Sequence, residues 1–277
     1  ADGHTDLYGF MWKPFDFDST RRYPIISYVY PGPQTEAIPL EFSVTAAYNV
    51  GLAQVGFVVV TFGHRGGSPM RDKWYHTFGY NNLRDYPLAD DKCGIEQLAD
   101  RFSFIDKSKV GIFGHSGGGF MSTAALCTYP DFYTAAVSSA GNHDNNIYNQ
   151  WWGETHHGVR EVKSFEKKTV KDSITGKDTT ISVEKIKFET KIPTNIELAK
   201  NLKGYLMLVT GDVENNVHPA NTLRMADALL KAGKNFDLVI LPGQAHGFMG
   251  IQQAFYQRKM WFHFAKHLLG DYSSDQF

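Results

Sequence analysis

Cysteine is scarce in this sequence: two residues, Cys93 and Cys127, among 277. Two cysteines build no disulfide framework, and theirs have no metal-ligand spacing, so both read as small core residues. Long apolar runs are missing as well, and no stretch approaches the ~20 residues that a membrane span requires. Neither charge sign dominates. With 28 Lys and Arg against 29 Asp and Glu, the formal net charge is −1, which gives no global pull toward nucleic acid or an anionic membrane. The start, Ala1-Asp2-Gly3-His4, lacks an initiator methionine and the basic and apolar regions of a signal peptide, and reads as a processed or excised chain.

What is present suits a large packed domain. Apolar residues make up 42 % and charged residues 21 %, and the length allows a full hydrophobic core. Short β-branched or aromatic runs alternate with longer helical stretches, which predicts a mostly parallel sheet with helices on both faces. The expected strands are Ile25–Tyr30, Phe57–Phe62, Val110–Phe113, Ala135–Ser139, Tyr205–Thr210 and Phe236–Leu241. The expected helices are Val44–Gln54, Tyr86–Arg101, Gly118–Thr128, Ala220–Lys231 and Ile251–Leu268, with Pro219 opening the fourth and Gly233 closing it.

One segment breaks this rhythm. From Lys163 to Lys191 there are eight Lys and five acidic residues. A turn at Thr175-Gly176-Lys177-Asp178 predicts a solvated β-hairpin inserted over about 160–192. The economical reading is one domain, 1–277, with one excursion.

The sequence Gly114-His115-Ser116-Gly117-Gly118 follows an apolar strand and precedes an alanine-rich helix. In that context Gly-x-Ser-x-Gly is a nucleophile elbow, which points to an α/β-hydrolase fold with Ser116 as nucleophile. Such a serine needs a base. Among the histidines downstream, only His246 lies in a loop directly after an expected strand, where a parallel sheet places its catalytic groups. His263 and His267 fall on the last helix and read as surface or packing residues. His156 and His157, taken as neighbours on a strand, point apart and do not suggest a metal. Two carboxylates compete for the acid position in Gly211-Asp212-Val213-Glu214-Asn215-Asn216. Asp212 lies just past the strand, where it can brace the turn. Glu214 lies deeper in the loop and is favoured. A Ser116–His246–Glu214 set calls for neither metal nor cofactor.

From about Tyr23 onward, with the hairpin as an interruption, the chain resembles the prolyl oligopeptidase family of serine peptidases, nearest its dipeptidyl-peptidase IV branch. The match is carried by Tyr28-Val29-Tyr30-Pro31-Gly32-Pro33, by the Arg65-Gly66-Gly67-Ser68 loop, and by Gly211-x-x-Glu214-x-Asn216-Val217-His218. Glu214 stands where the family usually has aspartate. The resemblance implies an oxyanion hole made by the Tyr30 hydroxyl and the Gly117 N–H, with Asn216 holding the substrate's backbone carbonyl. It also implies a pocket for the residue before the scissile bond, placing Tyr148 and Trp152 near it. Gly117 occupies a position where that branch carries a tyrosine, so the pocket should be more open here.

In the family the hydrolase domain follows an N-terminal β-propeller whose acidic residues, in dipeptidyl peptidases, hold the substrate's free amino terminus. No propeller fits into 277 residues, and the chain therefore reads as a catalytic domain that acts beside a propeller. The implied activity is release of dipeptides from peptide N-termini through an acyl-enzyme at Ser116. A carboxylesterase on the same fold, or an acylaminoacyl or oligopeptidase specificity, is the alternative. The resemblance favours a periplasmic or cell-envelope setting and leaves a homodimer open.

Overall fold

The computed structural model describes residues 1–38, 41 and 48–273. Seven strands form one sheet: β1 (Gly9–Trp12), β2 (Tyr23–Tyr28), β3 (Val58–Phe62), β4 (Ile105–His115), β5 (Tyr133–Ser139), β8 (Tyr205–Gly211) and β9 (Asp237–Leu241). Their order across the sheet is β1-β3-β2-β4-β5-β8-β9. All neighbours run parallel except β1, which pairs antiparallel with β3 from Gly9↔Phe62 to Trp12↔Val59. Two more strands, β6 (Arg160–Lys171) and β7 (Asp178–Glu189), form a separate antiparallel hairpin. This is the α/β-hydrolase architecture that the sequence predicts.

The central strands read as continuous apolar runs because both of their faces are covered. All five residues of β3 are buried, and burying a Val or Ile side chain contributes about 1.5–3 kcal/mol. One face packs Ile25, Val58, Val60 and Ile112 against helices α3 (Leu88–Arg101), α4 (Gly117–Thr128) and α6 (Ala220–Lys231). The other packs Ile26, Val59 and Phe113 against α1 (Asn49–Val55) and α7 (Gly250–Phe264). Cys127 lies in the first core, where burial pushes its thiol up to about 12. Cys93 is only half-buried, so the core reading fits one cysteine of the two.

Several boundaries differ from expectation. The strand expected to begin at Ile25 begins at Tyr23, whose N–H donates to the Phe104 carbonyl at 2.7 Å. Residues 44–47 of the first expected helix lie outside the described residues, and α1 covers the remainder. The last expected helix stays regular to Phe264, then widens over Ala265–Leu269 before Gly270 at φ 74°. Two short helices were not foreseen, α2 (Lys73–Thr77) and α5 (Gln150–His156). His156 therefore ends a helix, and the strand reading of His156-His157 does not hold.

Because β4, β8 and β9 are parallel, the segments after His115, Gly211 and Leu241 all emerge at one edge of the sheet. That edge receives Ser116, Glu214 and His246.

Candidate active site

Ser116 sits between β4 and α4 with φ 58° and ψ −120°. A non-glycine residue in this region costs on the order of 1–3 kcal/mol. Flanking bonds hold it there: its N–H donates to the Ser139 carbonyl at 2.8 Å, and its carbonyl accepts from Phe120 N–H at 3.0 Å. The tight turn explains two of the glycines. A Cβ on Gly114 or Gly118 would run into the Val29 carbonyl oxygen at the end of β2. Gly117 is different, since the nearest atom to a Cβ there is the Pro31 carbonyl oxygen at 3.9 Å. Its glycine is not required by space.

The acid loop follows β8. Glu214 is buried, and its Oε1 accepts from the N–H groups of Asn216 at 2.7 Å and Val217 at 3.1 Å. Its Oε2 lies 2.8 Å from Nδ1 of His246. Both carboxylate oxygens are therefore engaged, one anchoring the loop and the other meeting the imidazole. Asp212 points elsewhere: its Oδ1 accepts from Gly243 N–H at 2.6 Å and braces the turn after β9.

Tyr30 follows β2 and lines the same cavity as Ser116, whose side chain acts on its hydroxyl as a hydrogen-bond partner would. Burial raises its pKa, against the opposing effect of that partner, so the phenol keeps its proton as a donor. Gly117 opens α4, where a backbone N–H has no partner within the helix.

A cavity of about 100 Å³ lies in front of Ser116. Tyr30, Gly117, Tyr148, Trp152 and Asn216 all line it, so the structure brings these expected residues together. The Tyr148 hydroxyl donates to Asn216 Oδ1 at 2.9 Å, and the Tyr148 and Trp152 rings meet edge-on at 5.6 Å. Glu214 and His246 are not among its lining residues. A larger hollow of about 350 Å³, lined by Ala1, Asp6, Cys93 and Arg101 among others, contains none of the site residues.

Sequence reasoning missed Leu83, Tyr86, Asn142 and Val217, which also line the cavity. Asn142 carried a readable signal, since it follows the carboxyl end of β5, just past Ala140 at φ 44°. Tyr86 carried none, because it reaches the site through its hydroxyl, which donates to the Pro31 carbonyl at 2.5 Å. The remaining omission is His115. Its ring lies 4.7 Å from that of His246 and 5.3 Å from that of Phe248, and its Nδ1 lies 2.8 Å from Ser139 Oγ.

Comparison with known proteins agrees with this architecture. Residues 42–272 match the prolyl oligopeptidase family. Human dipeptidyl peptidase 8 is 28 % identical over 241 residues, which cover 87 % of this chain and 24 % of the relative. Mouse prolyl endopeptidase FAP is 25 % identical over 89 % of this chain and 29 % of its own length. Among solved structures, a Bacteroides ovatus protein described as a candidate dipeptidyl aminopeptidase IV superposes with a TM-score of 0.81 at 26 % identity. That superposition covers 96 % of this chain and 34 % of the other. The chain thus spans about a quarter to a third of the length of the relatives it matches. It belongs to the prolyl oligopeptidase family of serine peptidases.

Proposed function

We propose that Ser116, His246 and Glu214 form a catalytic triad that cleaves peptides through an acyl-enzyme. The observation that carries this is the 2.8 Å contact between Glu214 Oε2 and His246 Nδ1, made by a carboxylate whose other oxygen is tied to two backbone N–H groups. That contact fixes the tautomer with its proton on Nδ1, leaving Nε2 to take the Ser116 proton. The Ser116 oxygen then attacks the scissile carbonyl, and His246 returns the proton to the departing amine. The Tyr30 hydroxyl and the Gly117 N–H stabilise the negative oxygen of the tetrahedral intermediate. Water releases the acyl group by the same steps, with His246 again the base.

Tyr148 and Trp152 receive the residue before the scissile bond, and Asn216 holds a substrate backbone carbonyl. The full-length protein releases dipeptides from peptide N-termini, with a β-propeller supplying the acidic residues that grip the free amino group. Names of the relatives support this reading, two of them being dipeptidyl peptidases or described as such. The open space at Gly117 favours a second reading, a carboxylesterase or an acylaminoacyl or oligopeptidase specificity.

A fluorophosphonate probe tests the triad directly. The wild-type chain is expected to label and Ser116→Ala to remain unlabelled, and labelling of both would refute the assignment. Comparing aminoacyl anilides with short acyl esters separates peptidase from esterase. Little cleavage of free-amino dipeptide anilides is expected from this chain alone. Appreciable cleavage would sink the role given to the propeller.

A further inference from the structure

Glu214 holds one nitrogen of His246, which leaves the ring free to swing about that single contact. The imidazole is on a loop, and its side chain is 26 % exposed. Something else has to aim Nε2, and the residue before Ser116 is placed to do so.

The contacts of His115 pin one of its ring nitrogens. The Tyr256 hydroxyl donates to Ser139 Oγ at 3.3 Å. The Ser139 hydroxyl has one proton and two acceptors within reach, His115 Nδ1 at 2.8 Å and the Gly114 carbonyl at 3.3 Å. Assigning the hydroxyl proton to the shorter contact makes Nδ1 the acceptor and puts the ring proton on Nε2. On its other side the ring meets the His246 loop, its centroid 4.7 Å from that of the imidazole, with the His246 backbone among the groups that act on it. A line of contacts thus runs from Tyr256 on α7 through Ser139 at the end of β5 and His115 at the end of β4 to the His246 loop. Phe248 closes the far side, with its ring perpendicular to that of His115.

We propose that His115 is a positioning residue for His246, pinned at Nδ1 by Ser139 and holding the His246 loop through the tilted contact between the two rings. This rests on reading Ser116 as nucleophile and His246 as base. The titratable groups around His115 are His246, Glu214 and, through Ser139, Tyr256. Burial, with His246 as a second cause, pushes the His115 pKa down to about 4. Its ring is therefore uncharged at neutral pH and does not repel the imidazolium that His246 becomes during acyl transfer.

The test uses four variants of this chain: His115→Phe, His115→Gln, Ser116→Ala and His246→Ala. The readout is the rate constant for labelling by a fluorophosphonate, with kcat and KM for p-nitrophenyl acetate. Phe keeps a ring but loses the bond to Ser139 and any donor toward the His246 loop, whereas Gln can offer Ser139 an acceptor and the loop a donor. His115→Phe is expected to label roughly 10- to 100-fold more slowly and to lose kcat rather than KM. Its downfield Nδ1–H resonance from His246 is expected to shift or broaden in proton NMR. His115→Gln is expected to recover most of the rate. Matching Tm values for the two variants show that folding is not the cause. Wild-type labelling by a folded His115→Phe, or a His115→Gln as slow as Phe, overturns the proposal. If Ser116→Ala or His246→Ala labels like wild type, the underlying site reading fails instead.

Discussion

The sheet edge that carries the site and the β6–β7 hairpin are both built from strands, yet they are held in opposite ways. At the sheet edge the central strands β2, β3, β4, β5 and β8 are covered on two faces and paired on two sides. Ser116 is kept at φ 58° by hydrogen bonds from both its N–H and its carbonyl. In the hairpin the twelve paired positions from Arg160↔Glu189 to Lys171↔Asp178 pair with each other, and Arg160 at its base ties it to Asn81. From Glu161 to Phe188 every residue but Val162 and Val170 is exposed. Its ion pairs, such as Lys163–Glu184 and Lys185–Glu166 at 2.9 Å, are solvated and contribute little. Strain is stored where the surroundings over-determine the backbone, and length is spent where they do not.

Four tests sharpen that contrast. The largest effect belongs to the acid loop. Glu214→Gln is expected to lower kcat by about 10⁴-fold, because the amide can donate and so stabilises the wrong His246 tautomer. Asp212→Asn, which touches only Gly243 N–H, is expected to leave kcat within an order of magnitude; steady-state kinetics decide between them. Next come the glycines. Gly118→Ala forces a Cβ into the Val29 carbonyl and is expected to cost about 3 kcal/mol or to prevent folding. Gly117→Ala, with its nearest neighbour at 3.9 Å, is expected to change stability by about 0.5 kcal/mol or less in a urea melt.

A third test is acid titration of stability. His115 is held down to about 4 and His143 to about 3, both by burial. Above the ordinary histidine value of 6.5 both are neutral in folded and unfolded chains, so their burial carries no pH penalty. As pH falls below 6.5 the unfolded chain takes up protons that the folded chain refuses, and stability is lost. For His115 the loss by pH 4 is on the order of 3 kcal/mol. Tm measured from pH 7 to 4 is expected to fall more steeply in wild type than in His115→Phe; parallel curves would refute this. The smallest effect lies in the hairpin. Replacing Glu161–Phe188 with a short turn is expected to change unfolding free energy by under about 1 kcal/mol, because the ladder supports nothing else. A larger loss would show that the two regions are coupled.

Much of the sheet was legible because buried parallel strands spell themselves as apolar runs, as Phe57–Phe62 does. The edge strand β1 was not, since Gly9-Phe10-Met11-Trp12 has neither alternation nor a hairpin turn beside it and pairs across fifty residues. Helix α5 was hidden because the segment around Tyr148 and Trp152 was read as pocket lining, which masked a helix of about two turns. In the site, residues placed by strand ends were readable: Ser116 from the elbow, and Glu214 and His246 from loops after β8 and β9. Leu83 and Tyr86 were not, because they arrive from the segment before α3 and meet the cavity only through tertiary packing. His115 was in plain view, and its significance depends on Ser139 and Tyr256, residues far apart in sequence.

The room at Gly117 has an evolutionary side. Within one turn of chain, Gly114 and Gly118 are frozen by a backbone oxygen while their neighbour is free to acquire a side chain facing the cavity. On the proposed reading of the site, a change at this single codon would alter what the cavity admits and leave the turn at Ser116 intact.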